Sequence, residues 1–489
     1  MTEPLSLVIH GHFYQPPRED PWTGEVPEQP SAAPFHDWNE RITAECYRPN
    51  THVSVAAADG REQAVCTYDL LSFNIGPTLL SWLEVHHRDV YDAIVAADQR
   101  GGRAIAQGYG HAILPLCNER DLRTQVRWGQ ADFAHRFGRP ATGMWLPETA
   151  VSDAVLEVLA EEGIRLTILA PKQVAAVRPL GGDEWVEHDG EDHGPEVDRL
   201  DVSRPLRWHH PSRPGLGVDL VVYDGALAHS LAFSEPTATN IVDAAVAHSG
   251  ERGGLVSAAT DGETFGHHHN GAERELARAL AIEAPAREIR VPSLSELLAE
   301  RPPTHEARVR TSAWSCAHGV GRWMGDCGCH TGGAEGWSQA WRAPLRWALD
   351  HLRDWGVEVM EHRGRTLLRD PWAARDAYVD VLIGARSWED HAHEHAIGEW
   401  DDARSLLEAQ RQSLLMYTSC GWFFNDLAGI ETVQILRYAA RAMDHYRDLG
   451  EEPPVEGFLH LLEQAVSNDE RNGDGRRLWH EQVLPVAHT

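Results

Sequence analysis

The sequence predicts an α/β protein in which successive βα units build a parallel sheet and a mainly α-helical region follows. Within the first 300 residues, short apolar runs alternate with longer stretches of helical periodicity, which is the pattern of βα units on a parallel sheet. The predicted strands are residues 5–9, 103–107, 141–146, 164–169, 218–223 and 255–259. Between them, residues 121–137 and 152–162 repeat apolar side chains at helical spacing and predict helices.

Helical periodicity dominates the chain after about residue 302. The predicted C-terminal helices are residues 343–355, 401–417 and 430–446. Residues 178–217 are acidic, rich in Gly, Pro and His, and interrupt the βα pattern. We therefore expect a domain of βα units over residues 1–300 with an insertion near 178–217, and a mainly helical domain over residues 301–489 that contributes to the cleft.

The charge balance excludes several classes of partner. The 489 residues include 44 Lys and Arg against 74 Asp and Glu, which gives a formal net charge of −30. Such a surface repels phosphate backbones and anionic lipids, so we expect neither nucleic acid nor a membrane as partner. Lys172 is the only lysine. Either a GC-rich genome encodes Arg in place of Lys, or the protein works in high salt, where hydrated carboxylates keep it soluble.

Cysteine usage and the N-terminus predict the compartment. The seven cysteines are irregularly spaced, unlike a secreted disulfide framework. The first residues lack the basic stretch and cleavage site of a signal peptide, and no apolar run approaches the roughly 18 residues of a membrane span. We expect a cytoplasmic protein. The sequence leaves its oligomeric state open.

Polar side chains lie at the ends of four predicted strands. They are His10, His12, Gln15, His111, Trp145, Glu148, Asp261, Glu263 and His267. In a parallel barrel or open sheet, functional groups collect where the strands end at their C-terminal edge. The sequence therefore predicts a cleft with paired carboxylic acids and hydrogen-bonding histidines.

The motifs around these residues resemble glycoside hydrolase family 57 in content and order. They are His10-Gly-His12 with Gln15-Pro16, Tyr109-Gly-His111 with Leu114-Pro115, Trp145-Leu-Pro-Glu148, and Asp261-Gly-Glu263 with Gly266-His267. A fifth stretch is similar to the aromatic and His-Gly region of that family and contains Trp314, His318 and Trp323. The resemblance covers roughly residues 5 to 300, and the helical remainder resembles an uncharacterised extension found on one branch of the family.

The resemblance implies a (β/α)7-type distorted barrel and a retaining double displacement on α-glucans, as in amylases and 4-α-glucanotransferases. Glu148 would be the nucleophile and Asp261 the general acid/base. The expected contacts with sugar come from His10, His12, Gln15, His111, Trp145, Glu263, His267, Trp314, His318 and Trp323. The mechanism requires no cofactor. The motifs do not decide between hydrolysis and transglycosylation.

The chemistry of the two carboxyls supports these roles independently. A retaining glycosidase needs two carboxyl groups about 5–5.5 Å apart, one ionised and one protonated. Glu148 and Asp261 come from different strand ends and can face each other across a sugar. The charge of Glu148 and the apolar neighbour Phe265 would raise the pKa of Asp261. In an extended backbone, Glu263 would point the same way as Asp261.

Each motif also has a purely structural interpretation. Glu148 would cap the helix after Ser152, Asp261 with Gly262 would form a hairpin turn, and His10 with His12 would be a buried, satisfied pair. A His-x-His pair together with Asp261 or residues 267–269 would also suit Zn²⁺, which predicts a metal-dependent carbohydrate hydrolase or deacetylase.

A cysteine and histidine cluster follows the barrel motifs. Its candidate zinc ligands are Cys316, Cys327, Cys329 and His330. Their spacing does not follow a Cys-x-x-Cys knuckle, so a structural Zn²⁺ and free thiols both remain open. A catalytically inactive sugar-binding barrel is the remaining alternative function, and the presence of both Glu148 and Asp261 argues against it.

Overall fold

A computed structural model describes residues 4–56, 60–189, 200–249 and 254–484. The chain divides into two compact units. The first comprises Met1–Gln15, Glu28–Gln107 and Arg136–Trp314. The second comprises Pro16–Pro27, Gly108–His135 and Ser315–Thr489. Among the described helices, none is long and apolar enough to cross a bilayer.

Seven parallel strands form a ring in the described part of the first unit. They are β1 (Ser6–Phe13), β2 (Ser72–Ile75), β3 (Ala106–Gln107), β4 (Met144–Trp145), β5 (Leu166–Leu169), β6 (Gly217–Val222) and β7 (Leu255–Asp261). β1 pairs with β7 and β2, β3 pairs with β4, and β5 pairs with β6. Single bridges join β2 to β3 and β4 to β5.

The ring closes between β6 and β7. The hydroxyl of Ser257 on β7 donates to the carbonyl of Val222 at 3.3 Å, and the backbone N–H of Asp224 donates to the carbonyl of Ser257 at 2.7 Å. This closure confirms the predicted (β/α)7-type barrel. Five of the six predicted strands lie within three residues of observed ones at both ends, and the first continues to Phe13.

The strand β2 is absent from the sequence-based prediction. It has four residues, and Ser72 and Asn74 alternate with Phe73 and Ile75. A short strand with polar side chains on one face lacks the apolar run that marks the other strands of a parallel sheet. All four of its residues are nevertheless buried.

Helices connect the barrel strands. In the first unit they are Trp38–Ile42, Pro77–His86, Arg88–Gly101, Asp153–Glu161, Gly225–Phe233, Ala238–Ser249, Ala272–Arg278, Ala284–Ala286 and Leu294–Glu300. The predicted helix over 152–162 is Asp153–Glu161, where the Ser152 side chain accepts a hydrogen bond from the N–H of Val155. Its apolar face is fully buried.

The predicted insertion extends the sheet beyond β6. Four more strands of this sheet are Leu206–His209, His305–Val309, Val174–Pro179 and Val186–Glu187, in that spatial order. Two of these strands, Val186–Glu187 and Leu206–His209, lie within the predicted insertion, which thus contributes to the sheet. Residues 190–199 lie outside the described residues. A separate hairpin pairs Val53–Ala56 with Glu62–Val65.

The second unit is helical. Its helices are Glu119–Phe137, Arg342–His362, Gly364–Leu367, Pro371–Ala377, Val379–Leu382, Trp388–His395, Trp400–Leu415, Cys420–Phe423, Ile430–Asp448, Val455–Leu462 and Gly475–Leu478. Residues 136–137 of the first of these helices are counted with the first unit. Tyr109 and Trp128 pack edge to face at 5.2 Å and share a core with Leu406 and Tyr446.

The observed units differ from the predicted boundary at residue 300. Residues 301–314 stay with the barrel because Ser312 bridges to Val151 and the N–H of Trp314 donates to the carbonyl of Glu148. Residues 16–27 and 108–135 belong to the second unit, which the order of the motifs along the chain could not reveal.

Candidate active site

Two histidines on β1 are tied together by an asparagine on β2. Nε2 of His10 donates to Oδ1 of Asn74 at 3.0 Å, and Nδ1 of His10 lies 2.9 Å from the hydroxyl of Ser72. Nδ2 of Asn74 donates to Nδ1 of His12 at 2.9 Å and to Oε1 of Gln107 at 2.8 Å. This pattern holds both rings neutral, with Nδ1 of His12 as acceptor. Burial lowers the pKa of His10 to about 4 and the pKa of His12 to about 3.

The indole of Trp145, at the end of β4, stacks on both histidine rings. The ring centroids lie 4.8 Å from His10 and 5.0 Å from His12, with interplanar angles of 13° and 19°. Trp145 is 0% exposed and His10 is 1% exposed. The sugar contacts of Trp145 and His10 stay predictions. In the structure both residues hold the ring of His12 in place, Trp145 by stacking and His10 through their shared partner Asn74.

Glu148 lies in a strained turn after β4. Its φ of 58° and the φ of 48° at Thr149 are left-handed, which is uncommon for residues with a side chain. The turn is held because Gln173 donates to the carbonyl of Thr149 at 2.7 Å. The indole N–H of Trp314 donates to Oε2 of Glu148 at 2.9 Å. Glu148 is therefore not a helix cap, since Ser152 caps the following helix.

Asp261 is the last residue of β7 and lies in register with His12 on β1. Loss of water around the carboxyl, and then the negative charges of Glu263 and Glu148, raise the pKa of Asp261 to about 8. Solvent still reaches the side chain. A protonated carboxyl at this position is therefore accessible to a substrate.

Glycine 262 does not turn a hairpin. Residues Gly262–Thr264 form a 3₁₀ turn after β7, and a Cβ on Gly262 would lie 2.4 Å from the ring of Phe13. The Asp-Gly-Glu motif thus reflects close packing of the backbone on an aromatic ring. With this turn, Glu263 lies close enough to Asp261 for its charge to act on the Asp261 carboxyl.

Glu263 is held by two donors. The amide of Gln15 and the hydroxyl of Tyr47 both donate to its Oε1, the second at 3.1 Å. Gln15 is 6% exposed, so it positions Glu263 from inside the unit. The half-buried His267 pairs with Glu45 through Nδ1 at 2.5 Å. Tyr223, at the end of β6, has its pKa raised by burial and by the charge of Asp261.

Three of the predicted sugar-binding residues belong to the second unit. His111 is 2% exposed, and its Nδ1 lies 2.7 Å from the hydroxyl of Ser419. Trp323 is 0% exposed and its indole donates to the Ser419 carbonyl at 3.2 Å. Its stacking on sugar stays a prediction. The sugar contact of His111 stays a prediction.

The third of these, His318, joins the cysteine cluster. Ligand atoms of Cys316, His318, Cys327 and Cys329 all lie within 4.8 Å of one another. His330, the predicted fourth ligand, points elsewhere because its Nδ1 donates to the carbonyl of Gly332 at 2.8 Å. In the candidate set of metal ligands, His318 thus takes the place of His330.

The histidines of β1 do not form a second metal set. Within the described ranges, this cysteine cluster is the sole group of three or more His, Cys, Asp or Glu ligand atoms close enough to share an ion. The nitrogens of His10 are engaged by Ser72 and Asn74, and Nδ1 of His12 accepts from Asn74. The geometry therefore gives no support to the predicted zinc-dependent hydrolase.

Sequence reasoning missed the residues that support the site. They are Ser72, Asn74, Gln107, Tyr47 and Tyr223. A usable signal existed for the first two, because their two-residue spacing before Gly76-Pro77 fits a strand that ends at a helix. Gln107 and Tyr223 lie at the last positions of predicted strands. Tyr47 lies in an irregular helical turn, and no pattern in the sequence marks it.

A closed ring of parallel strands with carboxyls at the strand ends is the arrangement of a barrel glycoside hydrolase. The chain belongs to glycosyl hydrolase family 57, whose family model matches residues 7–310. A second family model, described as Domain of unknown function (DUF3536), matches residues 337–489. Both the family and its uncharacterised helical extension confirm the resemblance found in the sequence.

Known relatives agree with this membership. Alpha-amylase 1 of Dictyoglomus thermophilum is 25% identical over 134 residues, which are 27% of this chain and 20% of that protein. The 4-alpha-glucanotransferase of Thermococcus litoralis is 22% identical over 213 residues, 43% of this chain and 28% of that protein. The matches thus span less than a third of the length of these relatives.

A solved structure shares the fold of the chain. The exo-type maltose-forming amylase from Pyrococcus sp. ST04 superposes with a TM-score of 0.71 at 14% identity, covering 94% of this chain and 82% of that one. At this identity the likeness establishes the fold.

Proposed function

We propose that this chain is a retaining glycoside hydrolase or transglycosylase that acts on α-glucans, with Glu148 as nucleophile and Asp261 as general acid/base. The observation that carries the proposal is the pair of carboxyls at the ends of β4 and β7, where loss of water and then the charges of Glu263 and Glu148 raise the pKa of Asp261 to about 8. At neutral pH one carboxyl of such a pair attacks while the other still holds a proton.

The reaction proceeds in two displacements. In the first, the Glu148 carboxylate bonds to the anomeric carbon while Asp261 gives its proton to the departing glycosidic oxygen. In the second, the Asp261 carboxylate takes a proton from water or from a glucan hydroxyl. That oxygen then bonds to the anomeric carbon and releases Glu148. Water as acceptor gives hydrolysis, and a glucan hydroxyl gives transglycosylation.

The neighbouring side chains have separate tasks. Trp314 holds Oε2 of Glu148 through its indole N–H and is half-buried, so part of its ring is open to stack on a pyranose. Nδ1 of His12 lies closer to the Nδ2 donor of Asn74, at 2.9 Å, than to its Oδ1, at 3.3 Å, which favours a proton on Nε2, the ring atom suited to donate to a sugar hydroxyl. Glu263 tunes Asp261 through its charge. The family membership and the names of the two amylolytic relatives support an α-glucan as substrate.

The first test is turnover of short amylose with analysis of the product anomer. We expect newly formed reducing ends to appear first in the α configuration, because two inversions retain it. Glu148→Gln and Asp261→Asn should each lower kcat by about a thousandfold or more. Glu187→Gln, a change of an exposed carboxyl on an outer strand, is the matched control and should leave kcat unchanged. An initial β product, or full activity in Glu148→Gln, would disprove the proposal.

Azide rescue separates the two roles. In Asp261→Ala, azide attacks the glycosyl-enzyme and should yield an α-glycosyl azide. In Glu148→Ala, azide attacks the substrate directly and should yield the β product from an activated donor. If both variants bound maltooligosaccharides and neither released sugar with azide, while the wild type was equally inactive, the chain would be a sugar-binding barrel.

Product analysis with maltotriose as sole substrate decides the acceptor. Accumulation of longer oligosaccharides identifies transfer, and glucose with maltose identifies hydrolysis. Galacto-oligosaccharides assayed in parallel test the choice of sugar, and the same assays in low and high salt test the two explanations of the acidic composition.

A further inference from the structure

The second unit contains a cluster of three cysteines and one histidine that the proposed reaction does not use. We propose that this cluster binds one structural Zn²⁺ ion. Its ligand side chains are Cys316, His318, Cys327 and Cys329. All four come from a single stretch of chain between the strand His305–Val309 and the helix Arg342–His362.

Two of the distances between ligand atoms match tetrahedral zinc. With Zn–S bonds of about 2.3 Å and Zn–N bonds of about 2.0–2.1 Å, a tetrahedral ion holds two sulfurs about 3.8 Å apart and a sulfur and a nitrogen about 3.5 Å apart. The sulfurs of Cys316 and Cys327 lie 3.9 Å apart. Sγ of Cys329 lies 3.5 Å from Nδ1 of His318. Each of the four ligand atoms thus belongs to one pair with the separation that tetrahedral zinc requires, and all four lie within 4.8 Å of one another.

The backbone is shaped for thiolates. The N–H of His318 donates to the sulfur of Cys316 at 3.4 Å. Hydrogen bonds from backbone N–H groups favour the charged form of a sulfur ligand and fix its orientation.

Two glycines allow the loop to fold around the cluster. Gly328, between two of the cysteines, has a φ of 84°, which a residue with a side chain rarely adopts. A Cβ on Gly321 would lie 3.1 Å from Cβ of Cys327 and 3.5 Å from Cβ of His318. Both positions thus need glycine for the cysteines and the histidine to converge.

A buried arginine supplies an independent electrostatic argument. Arg342 is 0% exposed, and its guanidinium donates to the carbonyl of Cys329 at 2.8 Å and to the carbonyls of Phe423 and Phe424. Zn²⁺ with three thiolates and one neutral imidazole has a net charge of −1. The buried guanidinium of Arg342 is therefore balanced by the negative charge of the zinc with its ligands. Neutral thiols would leave this positive charge less well balanced.

Four protein ligands leave no open coordination position, so the site is structural in character. Among the described residues of the segment 310–341, the one helical element is the short turn Gly321–Trp323. Loops of such length without secondary structure of their own are uncommon in compact units. We infer that the ion fixes this segment, much as it organises small zinc-binding modules.

The experiment uses the full-length protein, purified without a polyhistidine tag from cells grown with zinc. We expect about one zinc per chain by elemental analysis, in proportion to protein after gel filtration. Replacement by Co²⁺ should produce thiolate-to-cobalt charge-transfer absorption and the visible bands of tetrahedral cobalt. In competition with a chelator, Cys329→Ser and His318→Ala should each weaken zinc binding at least tenfold.

Matched controls separate the site from nonspecific effects. His330→Ala changes the nearby histidine outside the cluster, and Cys66→Ser changes a half-buried thiol of the barrel. Both should keep one zinc and the cobalt spectrum. His318→Cys offers a fourth sulfur and should also retain the ion. Because His318 is exposed, His318→Ala should fold, and its circular dichroism spectrum verifies this.

Two results would overturn the proposal. One is a folded wild-type protein that neither carries stoichiometric zinc nor gives the charge-transfer band on addition of Co²⁺ under reducing conditions. The other is a disulfide between Cys316 and Cys327 in freshly purified protein, detected by peptide mass, with zinc absent. Activity on glucans is not a readout here, so the outcome is independent of the proposed reaction.

Discussion

Trp314 holds Glu148 by two hydrogen bonds. Its indole N–H donates to Oε2 of the carboxylate at 2.9 Å, and its backbone N–H donates to the Glu148 carbonyl at 3.0 Å. Glu148 has a left-handed backbone conformation, which costs roughly 1–3 kcal/mol and persists only where neighbouring contacts enforce it. A residue far along the chain therefore fixes both the backbone and one oxygen of the proposed nucleophile.

The first prediction separates the donor from the ring. Trp314→Phe keeps an aromatic face and the backbone N–H but removes the indole donor. A hydrogen bond to a charged group contributes about 1.5–3 kcal/mol, so we expect kcat on amylose to fall roughly ten- to a hundredfold, with KM changed less than threefold. Trp314→Ala should raise KM as well, because the stacking surface is lost. Steady-state kinetics on both variants measure the difference, and an unchanged kcat in Trp314→Phe would contradict the role.

The second prediction concerns pH. The pKa of Asp261 is raised to about 8, so the proton needed for the first displacement is present below that pH and lost above it. We expect kcat/KM to fall as pH rises through about 8. Glu263→Gln removes a negative charge that raises the pKa of Asp261, so the alkaline limb should move down by about one pH unit.

The profile of kcat/KM against pH, from 5 to 10 in steps of about half a unit, is the measurement for this prediction. Glu187→Gln removes an exposed carboxylate on an outer strand and is the control whose limb should coincide with that of the wild type. An alkaline limb in Glu263→Gln at the wild-type pH, or above it, would show that Glu263 does not tune Asp261.

Most of the barrel could be predicted from the sequence, because the strands of a buried parallel sheet consist of runs of apolar residues. Six of its seven strands carry such runs, and β2 does not, since Ser72 and Asn74 occupy half of it. The boundary between the two units was harder to predict. Trp128 has the helical spacing of a core tryptophan, and the residues around it do not indicate that it packs against Tyr109 in the helical unit.

The third prediction tests the link between the two histidines. Asn74→Ala leaves the buried N–H of His10, Nδ1 of His12 and Oε1 of Gln107 without this partner. Unsatisfied buried groups cost about 1–3 kcal/mol each, and partial rearrangement reduces the sum, so we expect a loss of about 2–4 kcal/mol in the free energy of unfolding of the barrel. Urea unfolding followed by tryptophan fluorescence measures it.

Ser72→Ala is the matched control for the asparagine, because of the two histidines it affects only His10; its other loss is a long hydrogen bond, at 3.5 Å, to the carbonyl of Arg103. It should cost about 1 kcal/mol and leave KM for amylose unchanged, whereas Asn74→Ala should also raise KM through the loosened ring of His12. Equal effects of the two substitutions on stability and KM would contradict the bridging role of Asn74.

The chemical types at the site were predictable, whereas their exposure was not. Trp145, Trp314 and Trp323 cannot be distinguished by residue type, yet two are fully buried and, of the three, Trp314 alone is half-exposed. The difference in exposure depends on which parts of the fold pack against each indole. The same reason explains why His318 and not His330 joins the cysteines, since the turn at Gly332 sets the direction of His330.

The fourth prediction concerns Lys172, the only lysine of a chain that otherwise uses arginine. Its ammonium donates to the carbonyl of Trp314 at 2.8 Å, within a turn after β5. The next residue, Gln173, donates to the carbonyls of Thr149 and Ser312. This one turn therefore holds both the loop of Glu148 and the segment that carries Trp314.

A compact ammonium suits this position better than a planar guanidinium, which is larger and needs several acceptors in one plane. Lys172→Arg and Lys172→Met should each lower kcat about fivefold, or about 1 kcal/mol, without a large change in the melting temperature. If Lys172 acts by placing the Trp314 indole, either substitution should cost less than about twofold once Trp314→Phe has removed the donor. Kinetics of this double-mutant cycle measure the coupling. Additive losses would mean that the lysine acts elsewhere, and full activity in Lys172→Arg would mean that its retention reflects no demand of the site.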